Sequence, residues 1–398
     1  MTQTAAEKID QFVMKTYGRS PVTFVRGEGC KLWDDKGKEY LDFLAGIAVC
    51  NLGHAHPGVT EAVCRQAAKL THVCNLYYTE PQAEVAELLV KNSFGDRVFF
   101  CNSGAEANEG AIKASRLWGK KYLNGAHTVI TMAGSFHGRT LATLSATGQE
   151  KIQKGFDPLV PRFKQVTFGD LEGLRKALDK DVCAVLLEPI LGEGGVLTPP
   201  AGYLSGVREL CAARKVMLIF DEIQTGLGRT GRLFAHEHFG VAPDVMTLAK
   251  GLANGLPAGA VVVSQQVADL FAPGTHATTF GAGPVIMAAA AVVLKTLTSK
   301  GFLEKVRESG AYFREKLEGL VQAYPGKCET VRGLGLMQGL VLKGPGAGLI
   351  GELLSRGLVV NCTQEKILRF VPPLIVQKAE IDALIQTLAG ILENWNFA

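Results

Sequence analysis

The sequence predicts an α/β fold with a large domain, in which helices cover a mostly parallel sheet, and a smaller α+β domain. Through the middle of the chain, short apolar runs alternate with amphipathic segments, a pattern that is typical of parallel sheets. After residue 285 the pattern changes to a long helical stretch followed by short strands. With 398 residues and 47% hydrophobic content, the chain can bury one large core and a satellite.

The apolar runs of the middle region predict buried strands at residues 98–101, 128–132, 182–187, 216–220 and 260–264. The amphipathic segments between them predict helices at residues 106–118, 171–178 and 201–214. Ligands of such sheets lie beyond the carboxyl ends of the strands, so the residues that follow each run are the candidates for function.

The sequence divides into three regions. Residues 61–284 are predicted to form the large domain and residues 285–398 the small domain. The small domain is predicted to begin with a helical stretch at 285–324 and to end in a helix whose apolar face extends to Trp395. Residues 1–60 are predicted to join the small domain.

Composition and charge exclude several classes of protein. Charged residues make up 20% of the chain and the formal net charge is +4, which gives no basic stripe for nucleic acid. Residues 1–21 lack the apolar core of a signal peptide, and apolar stretches such as 288–294 are far shorter than the ~20 residues of a membrane span. Nine cysteines lie apart without a C-x-x-C pair, which indicates neither zinc nor disulfides. We therefore expect a reduced, cytoplasmic enzyme with small-molecule substrates and no metal.

The first candidate site follows the predicted strand at 98–101. Ser103 and Glu106 have the spacing of a capping box at the start of a helix. Such a turn leaves backbone N–H groups free, and together with the helix dipole they suit a phosphate. A capped helix without any ligand remains the alternative.

Two charged residues follow other apolar runs. Asp221 ends the run at 216–220, and a buried acid there is costly unless it meets a positive partner such as a pyridinium nitrogen. Lys250 closes a further apolar run, and a desolvated lysine becomes a usable nucleophile. Taken singly, the acid could cap a turn and the lysine could reach the surface. The phosphate turn, the acid and the amine in this order are far more specific than any one of them.

Longer motifs then identify a family. They are Asn75 to Pro81 (NLYYTEP), Asn102 to Asn108 (NSGAEAN), Phe136 to Thr140 (FHGRT), Glu188-Pro189, Gly192 to Gly195 (GEGG), Asp221 to Gly226 (DEIQTG), Gly228 to Gly231 (GRTG), Thr278 to Gly281 (TTFG) and Arg369 to Pro373 (RFVPP). Over essentially the whole chain, the sequence resembles the class III aminotransferases. The resemblance implies the pyridoxal-phosphate-dependent transferase fold of type I.

The resemblance also implies roles in holding pyridoxal 5′-phosphate. Lys250 would form the Schiff base with the cofactor and then move the substrate proton, Asp221 would pair with the ring nitrogen, and Gln224 would lie near the ring hydroxyl. The other implied cofactor-binding residues are Phe136 on the ring face, His137, the phosphate-holding Ser103, Gly104 and Ala105, and Thr279 from the neighbouring subunit. The active sites would therefore be shared across a homodimer.

Two arginines would bind the carboxylates of the substrates. By resemblance, Arg139 with Thr278 beside it would bind the α-carboxylate of the donor, and Arg369 that of 2-oxoglutarate. Glu193 resembles a switch carboxylate, which would mask Arg369 while the donor is bound and release it for the keto acid.

The chain departs from the family pattern at two places. Ala105 stands where relatives usually have threonine, and Ala282-Gly283 replaces the usual Gly-Asn pair before Pro284. Both changes border the phosphate and the interface, so they bear on cofactor affinity more than on the chemistry.

Two other motifs suggest different chemistry. Residues 226–231 fit G-x-G-x-x-G, but 221–224 separate them from the strand and no helical run follows, which argues against a nicotinamide enzyme. The pairs His54/His56 and His236/His238 have no third ligand at a recognisable spacing, whereas catalytic zinc needs three. We expect no metal at either pair.

Within the family, residues 75–81 and the compact length most resemble the branch that acts on N2-acetylornithine. That branch transfers the distal amino group to 2-oxoglutarate and gives N-acetylglutamate 5-semialdehyde and glutamate, a step of arginine biosynthesis. Succinylornithine, succinyldiaminopimelate, ornithine and 4-aminobutyrate stay open as donors, because one acyl group is worth only a few kcal/mol of discrimination. A non-catalytic binding protein on the same fold is the alternative from another class.

Overall fold

The computed structural model describes residues 3–397. Its strands are β1 (Phe24–Glu28), β2 (Lys31–Asp34), β3 (Glu39–Asp42), β4 (Arg97–Cys101), β5 (Thr128–Met132), β6 (Phe163–Val166), β7 (Val182–Leu187), β8 (Met217–Asp221), β9 (Val245–Leu248), β10 (Gly259–Val263), β11 (Cys328–Leu334), β12 (Met337–Leu342), β13 (Leu358–Val359), β14 (Asn361–Thr363) and β15 (Ile367–Phe370). Its helices are α1 (Ala5–Phe12), α2 (Ala45–Ala48), α3 (Pro57–Lys69), α4 (Glu80–Lys91), α5 (Gly104–Tyr122), α6 (Leu141–Ala146), α7 (Glu150–Gln153), α8 (Leu171–Ala177), α9 (Tyr203–Arg214), α10 (Gln265–Ala268), α11 (Pro284–Leu297), α12 (Phe302–Ala323), α13 (Ala347–Ser355) and α14 (Lys378–Asn394).

A sheet of 7 strands forms the centre of the molecule, in the order β4-β10-β9-β8-β7-β5-β6. The strands from β9 to β6 pair in parallel, whereas β10 runs antiparallel to both of its neighbours. The predicted mostly parallel sheet is therefore confirmed, and with it the fold class.

The five predicted strands correspond to β4, β5, β7, β8 and β10, and β9 is the apolar run that precedes Lys250. The edge strand β6 was not predicted. None of its residues is fully buried, so it lacks the continuous apolar run that marks the central strands.

Helices cover both faces of this sheet. On one face α5 packs against β7, β9 and β10 and buries Ala107, Ala111 and Trp118. On the other face α8 and α9 contribute Leu174 and Val207 to a second buried cluster. Because both faces are covered, the central strands are apolar throughout, as their sequences predict.

Two sheets of 4 strands each lie outside the large sheet, in the orders β1-β2-β3-β13 and β11-β12-β15-β14. The first combines N-terminal and C-terminal strands, since β3 pairs in parallel with β13 and places Leu41 opposite Leu358. This pairing supports the expected association of residues 1–60 with the C-terminal region, and the domain boundaries themselves stay predictions.

The predicted helical stretch at 285–324 consists of two helices, α11 and α12. They are separated by residues 298–301, the last of which, Gly301, is the N-cap of α12 and has a φ of 86°, outside the α-helical region. Within residues 3–397, no single helix is long and apolar enough to cross a membrane. Only α11 and α12 together, bent by 72°, reach that length and composition.

Candidate active site

A cavity of about 420 Å³ opens at the edge of the large sheet where β4, β8 and β9 end. This is the edge at which parallel sheets bind ligands. Ten of the residues predicted for the site line the cavity: Ser103, Gly104, Ala105, Phe136, His137, Arg139, Glu193, Asp221, Gln224 and Lys250. Residues that are far apart in the chain are therefore brought together around one space.

The turn after β4 begins helix α5 and lies in the cavity wall. Ser103 is the N-cap, and its hydroxyl accepts the N–H of Glu106 at 3.2 Å. The predicted capping box is only half correct, because the Glu106 carboxylate accepts the backbone N–H of Asn102 rather than that of Ser103. The amides of Gly104 and Ala105 belong to the first helical turn, which has no earlier turn to supply their acceptors. They are available to an anion in the cavity.

Asp221 is the last residue of β8 and only 3% exposed. Its Oδ2 accepts a hydrogen bond from Asn108 Nδ2 at 2.7 Å and lies 2.8 Å from Nδ1 of His137. Its Oδ1 accepts the backbone N–H of Ile223 at 3.1 Å. These donors stabilise the carboxylate in a buried position where an unpartnered charge would be costly.

Lys250 follows β9 and has a φ of 40°, in the left-handed region that residues with a side chain rarely adopt. Such strain is frequent at functional sites. Burial lowers the pKa of the Lys250 amine from its ordinary value, an effect that the nearby Glu193 carboxylate opposes and the Arg369 guanidinium reinforces. A lowered pKa raises the neutral fraction of the amine, which is its nucleophilic form.

Arg369, on β15, is fully buried and reaches the cavity wall through two side chains. Its Nη1 donates to Glu193 Oε1 and, at 3.2 Å, to Gln224 Oε1, and its Nε donates to Asn361 Oδ1 at 3.2 Å. Its Nη2 is buried and has no acceptor among residues 3–397. Burial alone would raise the pKa of Glu193, but the charge of Arg369 holds it below the ordinary value. The guanidinium thus pairs with the carboxylate of Glu193, and its Nη2 has no hydrogen-bond acceptor among the described residues.

The residues that follow β5 form another part of the cavity wall. The guanidinium carbon of Arg139 lies 5.6 Å from the centre of the Phe136 ring, and Arg139 is otherwise exposed. Glu188 holds this wall, since its carboxylate accepts the backbone N–H groups of Phe136 and Gly192, both at 3.0 Å. Burial raises the pKa of Glu188 to about 7.

Sequence reasoning named Glu188 and Asn108 only as members of motifs and gave neither a role. Glu188 directly follows the apolar run of β7, the same signal that indicated Asp221. Asn108 is a polar residue on the buried face of α5 and is 0% exposed. Its position became evident only from the packing of that helix.

Three predicted site residues lie outside the cavity of this chain: Thr278, Thr279 and Arg369. The hydroxyl of Thr278 accepts a hydrogen bond from Asn102 Nδ2 at 3.2 Å, next to the turn that begins α5 at Ser103. Thr279 is exposed and does not face the cavity of its own chain. Its predicted contact would therefore require a second subunit.

The two histidine pairs lie at other places. Nε2 of His54 is 2.7 Å from Asp42 Oδ2, and Nδ1 of His236 is 2.8 Å from Glu222 Oε1. Among residues 3–397, no three His, Cys, Asp or Glu side chains are grouped so that they could hold a metal ion.

The sequence matches a known family over nearly its whole length. Residues 12–392 fit the family described as Aminotransferase class-III. The chain is 49% identical over 389 residues to the acetylornithine aminotransferase of Caldanaerobacter subterraneus subsp. tengcongensis, an alignment that covers 97% of this chain and 98% of that protein. It is also 49% identical to the acetylornithine aminotransferase of Methanocaldococcus jannaschii, over 95% of both chains.

Solved structures show the same fold. The ornithine aminotransferase from Toxoplasma gondii superposes with a TM-score of 0.93 at 34% identity, over 97% of this chain and 93% of that one. The N-acetylornithine aminotransferase from Stenotrophomonas maltophilia gives a TM-score of 0.83 at 37% identity, over 97% and 98%. The backbone is thus shared by enzymes that are named for different amino donors.

Proposed function

The chain belongs to the class III aminotransferases, and we propose that it transfers the distal amino group of N2-acetylornithine to 2-oxoglutarate. The products would be N-acetylglutamate 5-semialdehyde and glutamate, a step of arginine biosynthesis. One observation carries this proposal: a helix N-terminus, a buried acid, the amine of Lys250 and a glutamate that is paired with an arginine behind it line a single cavity. We propose acetylornithine as the donor because relatives that are 49% identical along nearly the full length are named for it.

The cavity fits pyridoxal 5′-phosphate, the cofactor of this family. The helix-start amides of Gly104 and Ala105 would hold the phosphate, Asp221 would accept the ring N–H, and the amine of Lys250 would react with the aldehyde. Phe136 would stack on one face of the ring, and Gln224 would lie beside its hydroxyl. The bound cofactor supplies an electron sink for the carbon that carries the amine.

The residues of the chain would then bind the substrates and move one proton. Nζ of Lys250, whose pKa is lowered by burial, would take the proton from the amine-bearing carbon of the donor and pass it to the former aldehyde carbon of the bound cofactor. In the second half-reaction the same atom would carry a proton back from there to the carbon that becomes the α-carbon of glutamate. Arg139, with Thr278 nearby, would bind the donor's α-carboxylate at the mouth of the cavity.

Glu193 would allow one site to bind two unlike substrates, because it would pair with Arg369 for one substrate and release it for the other. The donor has no carboxylate next to its reacting carbon. Without Glu193, the buried guanidinium of Arg369 would therefore have no anionic partner while the donor is bound. With the donor bound, Glu193 neutralises Arg369, as it does in this structure. With 2-oxoglutarate bound, Arg369 would bind the keto acid's α-carboxylate, and its Nη2, which has no acceptor among residues 3–397, would be the second donor for a two-point contact.

The same proposal includes a cytoplasmic homodimer with shared active sites. Tyr78 and Phe280 are 105% and 66% exposed, and Asn75 joins their two segments by donating to the carbonyl of Gly281 at 2.9 Å. Exposed aromatic side chains on two segments that Asn75 joins, one of which carries the exposed Thr279, suit a contact between two copies. Thr279 of one subunit would reach the phosphate of the other.

The donor is tested by measuring kcat/KM for acetylornithine, succinylornithine, ornithine and 4-aminobutyrate, each with 2-oxoglutarate. We expect acetylornithine to be used best. If free ornithine or 4-aminobutyrate is preferred by about tenfold, a difference of 1.4 kcal/mol, the donor assignment is wrong while the reaction class stands.

The reaction class is tested with Lys250→Ala. The purified wild type should be yellow from the covalently bound cofactor, and the variant should lose both that colour and all amino transfer. A wild-type protein that neither binds pyridoxal phosphate nor transfers amines would be a binding protein on this fold.

A further inference from the structure

We propose that Asn108, whose amide oxygen accepts the Thr247 hydroxyl, is a positioning residue that holds Asp221, with His137 beside it, so that Asp221 can accept the ring N–H of the cofactor. The inference rests on the proposed function, since it concerns how this chain prepares its acid for pyridoxal phosphate. Nothing in the family motifs assigns a role to either residue.

The side chain of Asn108 connects helix α5 to strands β8 and β9 of the large sheet. It lies on α5 and is 0% exposed, as is Thr247 on β9. Its Nδ2 donates to Asp221 Oδ2 at 2.7 Å and to the backbone carbonyl of His137 at 2.8 Å. Its Oδ1 accepts the hydroxyl of Thr247 at 2.8 Å. Every hydrogen of the amide nitrogen therefore has an acceptor, and the amide oxygen has a donor.

The amide of Asn108 has a single allowed orientation. If it were rotated by half a turn, its oxygen would face the oxygens of Asp221 and His137, which cannot both donate. The Asp221 carboxylate and the His137 carbonyl therefore select the observed orientation, and in that orientation the Thr247 hydroxyl supplies the donor that the amide oxygen needs. In a buried site each unmade hydrogen bond is costly, so the orientation is strongly preferred.

This orientation determines what Asp221 can do. Both carboxylate oxygens accept from the protein, Oδ2 from Asn108 and Oδ1 from the Ile223 amide, so the group is stabilised as a carboxylate. His137 then offers its Nδ1 hydrogen to the same Oδ2, at 2.8 Å. Asn108 thus orients Asp221 directly and His137 through its backbone. What remains for a ligand in the cavity is a carboxylate that is ready to accept an N–H group.

Two substitutions separate this positioning from simple packing. Asn108→Asp keeps the size of the side chain but replaces the Nδ2 donor with a second acidic oxygen, so that one proton must be shared with Asp221. Thr247→Val keeps the volume but leaves the buried oxygen of the Asn108 amide without its donor, and Thr247→Ser keeps the hydroxyl as the matched control.

The experiment measures the dissociation constant of two ligands from the apoenzyme by fluorescence. One ligand is pyridoxal phosphate, and the other is its analogue with C–H in place of the ring nitrogen. We expect Asn108→Asp to weaken binding of pyridoxal phosphate by about tenfold or more and Thr247→Val by a smaller factor in the same direction, while Thr247→Ser binds as the wild type does. Neither substitution should weaken binding of the analogue, which has no N–H for Asp221.

Equal losses for both ligands would show that Asn108 only shapes the cavity, and unchanged binding of pyridoxal phosphate would show that Asp221 does not need it. Either result overturns the inference. Should Asn108→Asp fail to fold, the Thr247 pair decides the question alone. A folded wild type that binds neither ligand would instead overturn the proposed function, and the inference with it.

Discussion

At the scale of single residues, the proposed use of two unlike substrates would depend on the Glu193–Arg369 pair. The side chain of Arg369 is fully buried, and the backbone carbonyl of Glu193 is held independently by Thr363 Oγ1 at 2.7 Å and Gln364 Nε2 at 2.9 Å. Removing the carboxylate should therefore free Arg369 without releasing the loop.

For Glu193→Ala we expect the half-reaction with the distal-amine donor to slow by about tenfold relative to the half-reaction with 2-oxoglutarate. The reason is that the guanidinium of Arg369, no longer paired with Glu193, favours substrates with a carboxylate next to the reacting carbon. Single-turnover absorbance changes of the two half-reactions measure this ratio. Glu193→Gln, which keeps a hydrogen-bond acceptor but no charge, is the control. An unchanged ratio in Glu193→Ala would rule out the switch.

His54 is a second residue whose charge should have a measurable effect. Hydrogen bonding to Asp42, assisted by Cys50, raises the pKa of His54 from 6.5 to about 9. A pKa that is raised by folding stabilises the folded state fully below pH 6.5, and that stabilisation is lost as the pH rises through about 9.

Between pH 6.5 and about 9, we expect the free energy of unfolding of the wild type to fall more than that of His54→Asn. The difference between the two decreases should be about 2–3 kcal/mol. Thermal melting from pH 6 to pH 10 would show the difference. The control is His127→Asn, which alters an exposed imidazole bonded to the Gly125 carbonyl. Parallel melting curves for the wild type and His54→Asn would contradict the prediction.

Position along the chain explains which site residues could be predicted. Ser103, Asp221 and Lys250 follow apolar runs, and this alone places them at one edge of a parallel sheet. Asn108 could not be found in this way, because its partners Asp221 and Thr247 lie 113 and 139 residues further along the chain. Helical periodicity shows that α5 has a buried face but not which strand ends that face meets.

At the scale of elements, the central strands and the helices that cover them could be predicted because they are apolar or amphipathic with a clear period. The edge strand β6 and the break between α11 and α12 could not, since neither changes the local pattern enough. Close helix contacts are likewise invisible in the sequence. Helix α12 approaches the β11–β12 turn so closely that a Cβ on Gly310 would lie 2.6 Å from the carbonyl carbon of Gly335.

Gly310→Ala should therefore lower stability by about 1–3 kcal/mol, although alanine is the better helix former, because two backbones would have to separate. Gly319 lies on the same helix, and apart from the adjoining backbone no atom of the described residues 3–397 lies within 4 Å of the place that a Cβ would take. Gly319→Ala should therefore raise stability by up to ~1 kcal/mol. Denaturant unfolding of the two variants compares them directly. Shifts of equal sign would show that helix propensity, not close packing, governs α12.

At the scale of the whole molecule, Arg229 shows what the sequence cannot reveal. It is fully buried, and its guanidinium donates to the carbonyls of Leu336 and Pro372 and to Asn51 Oδ1, residues that are 107, 143 and 178 positions away. Burial lowers the pKa of Arg229 to about 9. In the sequence this arginine was only part of a glycine-rich motif, whereas in the fold it links the N-terminal segment, the large sheet and the C-terminal region.

The largest unit of the proposed function is the homodimer, and complementation tests it. If Thr279 serves the phosphate of the other subunit, Lys250→Ala and Thr279→Glu each damage a different half of every site. The first removes the amine, and the second places a negative charge against the phosphate.

In a mixed dimer of these two variants, one site carries both defects and the other carries neither. We therefore expect the mixed dimer to have about half of the wild-type activity, although the homodimer of each variant is inactive. Co-expression with two different affinity tags and purification on both isolates the mixed dimer, and the same procedure with two tagged copies of Lys250→Ala is the control. Activity no higher than the sum of the separate variants would mean that each active site is built within one chain. The exposed aromatic side chains of Tyr78 and Phe280 would then need another explanation.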